Sequence, residues 1–192
     1  MSVKQDVLGR YERDAQNRII IDVAADRTED LYSCFDKHAP YMRRDLEQEL
    51  VDYLIECARE LPSGEPYVLR FTLAESPDEE KRSRIRQSVN SFFHYLAELE
   101  RGAIVQMLRK SGVLFAVGAA IMFAAVWVRH WTGHLHSVTG DVFAEGLTVA
   151  AWVSLWESAA VILIEWRPRG RTVRRYERLA ETEIFFRDAD SK

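Results

Sequence analysis

Gly146-Leu147-Thr148-Val149-Ala150-Ala151-Trp152-Val153-Ser154-Leu155-Trp156-Glu157-Ser158-Ala159-Ala160-Val161-Ile162-Leu163-Ile164-Glu165-Trp166 decides the fold: it is an apolar run of 21 residues with a carboxylate near its middle. About 20 helical residues cross the ~30 Å hydrocarbon core of a bilayer, so this run is long enough to span one. A bare charge buried in lipid costs several kcal/mol, so Glu157 must face protein, water or a proton. At 100° per residue Ser154, Glu157, Ser158, Val161 and Glu165 fall within about 100° of one another, with Trp152, Trp156, Ala159 and Leu163 on the other side. Glu165 lies close enough to the end of the run to reach water or Arg167, whereas Glu157 does not.

Upstream, Gly112 to Val128 contains no charge and meets the lower length limit for a span; extension to Trp131 completes it if Arg129 snorkels. The two runs form a hairpin. Ala116, Ala120 and Ala124, four residues apart, are read as the positions that let its helices approach closely. The first run starts more than a hundred residues into the chain and so does not read as a cleaved signal. Arg109 and Lys110 precede the first run, and Arg167, Arg169, Arg171, Arg174 and Arg175 follow the second. The connecting stretch from His130 to Glu145 has no Lys or Arg. The positive-inside rule then puts both termini in the cytoplasm and the loop outside.

Whole-chain averages conceal this pattern: 29% of residues are charged and the net charge is -4, with a mean hydropathy of -0.23. Residues 1–110 carry 17 basic and 21 acidic groups, and residues 167–192 carry 8 and 5. No strongly basic face points to nucleic acid. Cys34 and Cys57 fall on the cytoplasmic side with neither CxxC nor zinc spacing, and Cys57 reads as a core residue.

Arg18 to Val23 reads as a strand from its β-branched run, and Asp30 to Phe35 as a helical turn or two before Pro40. Arg43 to Leu61 reads as an amphipathic helix through Leu46, Leu50, Leu54, Cys57 and Leu61. Tyr67 to Leu73 alternates as a second strand. Ser76-Pro77-Asp78-Glu79 reads as a helix start with Ser76 as the cap. The helix it opens carries Ile85, Val89, Phe92, Leu96, Leu99 and Ala103, a spacing that suits packing on a small sheet or a coiled-coil seam. It runs towards the first apolar segment, with Gly102 or Ser111-Gly112 as the place for a bend. Two strands leave open edges, which calls for another copy, a partner or a third strand elsewhere. Val173, Tyr176, Leu179 and Ala180 form a narrow apolar stripe on a tail helix, suited to docking on this domain or lying on the membrane.

The expected fold is an α+β membrane protein: a two-helix transmembrane hairpin, a small cytoplasmic βαβα domain, and a long helix leading into the first span. Its parts are a cytoplasmic domain over 1–110, spans over 111–131 and 145–166, an external loop over 132–144 and a cytoplasmic tail over 167–192. The intramembrane candidates are Glu157, Ser154, Ser158, Trp156 and Glu165. Three fates stand open for Glu157: a hydrogen bond to a serine or tryptophan while protonated, a cation from another protein, or a ring around a water-filled path.

Residues 144–157, together with Asp52-Tyr53-Leu54-Ile55-Glu56-Cys57-Ala58-Arg59-Glu60, resemble a family of uncharacterised two-pass bacterial membrane proteins. That resemblance implies a bacterial inner-membrane location and no particular activity. The hairpin is also similar, more distantly, to that of the mitochondrial calcium uniporter, whose second helix carries Trp-Asp-x-x-Glu-Pro. Trp156-Glu157 matches its first pair, but Ala160 and Val161 stand where the second acid and the proline belong.

His130, His134, His136 and Asp141 are candidate metal ligands, but read better as an interfacial loop rich in polar residues; Asp22, Asp26, Asp30 and Asp36 suggest a magnesium site, but no Gly-rich turn or lysine supports it, and His38 and His94 stand alone. There is no phosphate loop, nucleophile elbow or HExxH. No metal or cofactor and no enzymatic activity are expected. The expected function is an oligomeric scaffold, signalling or accessory subunit with the bilayer and a membrane protein or second copy as partners. The alternative is an oligomeric cation channel with a ring of Glu157.

Overall fold

The computed structural model describes residues 8–34, 44–62, 64–132 and 138–188, without the side chains of Glu165 and of several residues between 129 and 144. The chain divides into two compact units, one formed by residues up to Glu98 together with those from Val173 onward, the other by Leu99–Thr172.

The first unit holds a three-stranded parallel sheet, β1 (Ile19–Ala25), β2 (Tyr67–Leu73) and β3 (Ile184–Asp188), in the order β1-β2-β3. Ile19 pairs with Tyr67, and Leu69 with Ile184. The third strand is the missing edge that the two-strand reading called for. It lies in the tail, where the sequence pattern reads only as a helix. A 3-10 turn (Thr28–Leu31) and helix α1 (Gln48–Glu60) connect β1 to β2. The amphipathic pattern of α1 turns Val51, Leu54, Cys57 and Ala58 inward, into one core with the alternating Tyr67, Leu69, Phe71 and Leu73 of β2.

Helix α2 (Glu79–Thr132) is helical without a break through Gly102 and Ser111-Gly112. Its cap is Asp78 rather than Ser76: the Asp78 carboxylate accepts from the Lys81 amide at 2.7 Å, while the Ser76 hydroxyl accepts from Arg82 at 3.3 Å. Asp78 immediately precedes the first helical residue, from where its carboxylate reaches the third amide of the helix. Ile85, Val89, Phe93 and Ala97 are buried, in steps of four, and Leu99 is 52% exposed. Phe92 and Leu96 pack partly against the same core, so the first part of α2 belongs to the packing on the sheet.

The second unit contains the rest of α2 and helix α3 (Val138–Ala160), which continues through a π-helical turn (Val161–Glu165) into α4 (Trp166–Ala180). Two helical stretches, Glu79–Val128 and Glu145–Ala180, contain windows of mean hydropathy 2.2 and 1.8 and are long and apolar enough to cross a membrane. Only 17% and 11% of those windows are buried within the chain, unlike the core helix of a soluble domain. The end of α4 returns to the first unit, where Val173, Leu179 and Ala180 are buried and Tyr176 packs against the core.

Candidate functional site

Helices α2 and α3 meet along a seam of small residues. Ser111, Gly118 and Ala125, seven residues apart, are buried on α2, and Ala151 and Ser158, also seven apart, on α3. A seven-residue repeat keeps two helices in contact along their length. Ala116, Ala120 and Ala124 are exposed instead, because a four-residue repeat places them on the side of α2 away from this seam. At the closest approach, a Cβ added to Gly118 would lie 3.0 Å from Ser154 Cβ and 3.3 Å from the Ala151 carbonyl oxygen.

The seam satisfies its own polar groups. The Ser111 hydroxyl donates to the Ser158 carbonyl at 3.0 Å. The Ser158 hydroxyl lies 3.2 Å from the Ser111 carbonyl and 3.0 Å from that of Ser154, and shares its one proton between them. Ser154 donates back to the Ala150 carbonyl at 3.0 Å. Further along, Arg169 reaches Glu100 at 3.2 Å, in keeping with the same antiparallel register.

Glu157 stands outside this seam. The polar sector read from the sequence is divided: Ser158 is fully buried, Ser154 half-buried and Glu157 exposed. Glu157 makes no hydrogen bond or ion pair with any described residue. Trp156 is 75% exposed and Trp152 63%, and the side chain of Glu165 is outside the described part of the structure.

With Ser111 against Ser158 and Gly118 against Ala151, Glu157 lies level with Gly112. That is the first residue of the upstream apolar run, and Lys110 is only two residues away. The two runs are staggered, so a residue central in one is terminal with respect to the other. Lys110 and Glu157 each precede a seam serine by one residue, so each is turned about 100° from the seam. In an antiparallel pair those rotations lead to the same side. One flank of the hairpin thus carries Lys110 and Glu157 with Val117, Ile121 and Ala150, and Val153 towards the back. The other presents Phe123 and Trp152, with Trp156 towards the back.

The first unit contains a cleft of about 440 Å³ between the N-terminal segment, β1 and α1, lined in part by Arg10, Tyr11, Asp22, Tyr53, Cys57 and Glu60. Tyr11 donates to Glu60 at 2.7 Å and Tyr53 to the Asp22 carbonyl at 2.9 Å. The Asp22 carboxylate is held by both arms of Arg70, at 2.5 and 2.7 Å, and Arg70 also reaches Glu12 at 2.6 Å. Asp30 is tied to the Arg27 amide at 3.1 Å. These two acids of the candidate magnesium set are therefore engaged in ion pairing and capping; Asp36, His38, His134 and His136 lie outside the described residues. Among the described residues no group of three His, Cys, Asp or Glu side chains is arranged to hold a metal.

Burial, then Cys57 and the charge of Asp22, push the Tyr53 phenol up from 10.0 to about 12. A raised acid holds its proton more tightly in the folded state. Its contribution to stability is therefore complete below 10.0 and is lost as the pH rises to about 12. In an ultraviolet titration Tyr53→Phe should remove a late-ionising tyrosine; an unchanged upper part of the curve would contradict this assignment.

No protein-family model matches this chain, and neither does any curated protein or solved structure.

Proposed function

We propose that this chain is a two-pass protein of the bacterial inner membrane that works as an oligomeric scaffold, signalling or accessory subunit through its cytoplasmic α/β unit, without enzymatic activity. The observation that carries this reading is the exposed position of Glu157 on a hairpin whose serines Ser111, Ser154 and Ser158 pair internally. On an isolated hairpin that carboxylate would meet lipid, at a cost of several kcal/mol. A covering chain removes the cost. The bilayer itself is the partner of the aromatic side, where Phe123, Trp152 and Trp156 are each more than 60% exposed.

Orientation follows from charge. Arg167 and Arg171 are exposed at the start of α4, beside Trp166, which is 52% exposed. A tryptophan followed by arginines suits the lipid–water interface on the cytoplasmic side. The sheet unit then faces the cytoplasm, where its cleft and the outer edge of β3 are the surfaces available to other proteins.

Gentle extraction from native membranes and mass determination test this proposal. The expected result is an assembly heavier than one chain, or a stoichiometric partner. A strict monomer without a partner would overturn the reading. The exposure of Glu157 also suits the cation-channel alternative, in which carboxylates converge on a pore. Reconstituted vesicles decide between them: the scaffold conducts no cations, whereas the channel conducts and loses cation selectivity with Glu157→Gln.

A further inference from the structure

We infer that the Glu157–Lys110 flank is the docking surface for a second copy of this chain, related by a two-fold axis parallel to the helices. This rests on the membrane reading above and names the partner. Both side chains are exposed, and neither pairs with a described residue. They lie on one flank, one on each helix, two residues apart in level. Rotation by 180° about an axis facing that flank lays α3 of one copy over α2 of the other. Glu157 of each copy then meets Lys110 of its mate, giving two equivalent ion pairs from a single flank, as an isologous interface requires.

Steric complementarity runs the same way. Ala150 lies level with Ala119 in its own hairpin, and hence, across the axis, between Val117 and Ile121 of the mate. Gly146, with nothing within 4 Å of an added Cβ, lies one turn further on. Small residues on α3 thus face branched aliphatic residues on α2, of which Val117 is 48% exposed. Small positions admit close helix approach where no hydrophobic effect separates protein from lipid. The opposite flank lacks the Lys–Glu pair: it carries the small Gly112, Ala119 and Ala159, but also the bulky, mostly exposed Phe123 and Trp152.

Charge reversal with two differently tagged full-length chains tests this. Alone, K110E and E157K should each dimerise about tenfold more weakly than the wild type, because like charges meet across the axis. Mixed, they restore two opposite-charge contacts, so the mixed dimer should be recovered in about tenfold excess over either homodimer. A pairing confined within one hairpin gives no such excess and would overturn the inference, as would single variants that dimerise like the wild type. Ala150→Leu should weaken the dimer and Trp152→Ala leave it unchanged; the reverse order would also overturn it. Alkaline extraction separates the two layers of argument. Release from membranes sinks both the membrane reading and this interface, whereas a retained monomer sinks the interface alone. A stoichiometric foreign subunit on this flank would keep the functional reading and overturn self-docking.

Discussion

A chain ending at Glu181, without β3, should lose the cooperative unfolding transition of its α/β unit. Ile184 is 5% exposed and pairs with Leu69, whose amide donates to the Glu183 carbonyl at 3.0 Å. The Phe186 ring lies 6.0 Å from that of Phe71, with Arg82 and Arg86 over it. Arg18 is anchored to Glu183 at 2.7 Å. Burial of Ile184 alone is worth about 1.5–3 kcal/mol. Loss of the ladder and the aromatic cover adds to this, against a total domain stability of about 5–15 kcal/mol. Truncation also bares the edge of β2 and leaves two strands, too few for a stable sheet. Thermal melts followed by circular dichroism, and protease digestion, measure this. A truncated chain that melts cooperatively at the full-length temperature would show that β3 is dispensable. Ile184→Ala is the milder probe, with an expected loss of about 2–5 kcal/mol.

Gly118→Leu should force the two apolar helices apart. The added Cβ alone meets the Ala151 carbonyl at 3.3 Å, and backbone cannot rotate away as a side-chain tip can. Overpacking costs about 1–3 kcal/mol, and leucine at this contact should reach the upper end. The Ser111–Ser158 hydrogen bonds then lengthen, although each contributes only about 0.6 kcal/mol in a membrane environment. Gly112→Leu is the control, since nothing lies within 4 Å of a Cβ there. Thermal unfolding in detergent should order the variants as Gly118→Leu least stable, Gly118→Ala intermediate and Gly112→Leu close to the parent. Equal melting of the two leucine variants would remove Gly118 from the seam.

Periodicity made β1, α1, β2 and the apolar helices legible, because each writes its burial pattern into local spacing. Strand β3 was not legible in the same way. Ile184-Phe185-Phe186 is a short strand signal set among charged residues, and its partner β2 lies more than a hundred residues upstream. The cap lies two residues beyond Ser76: Ser76 and Asp78 both carry capping oxygens, and only the three-dimensional turn reveals which is aimed at the helix end. The seam offered a similar choice. Alanines at four-residue spacing and a Ser-Gly-Ala set at seven-residue spacing occupy the same helix, and the partner helix selects between them. Glu157 stood out as an isolated carboxylate in an apolar run. Its level relative to Lys110 depends on the stagger of two helices, which neither run encodes alone.

That stagger links association to bilayer thickness. Between the level of Glu157 and that of Glu145, which lies beside Ala124, the hairpin offers about 12 uncharged levels, or ~18 Å, whereas a typical hydrocarbon core is about 30 Å. If Glu157 and Lys110 are hidden against a mate and Arg109 snorkels, the apolar layer extends to the level of Glu165 and reaches about 30 Å. A single hairpin then fits a thin membrane and a pair fits a thick one. The thickness of the surrounding lipid would thus set how often two copies are found together.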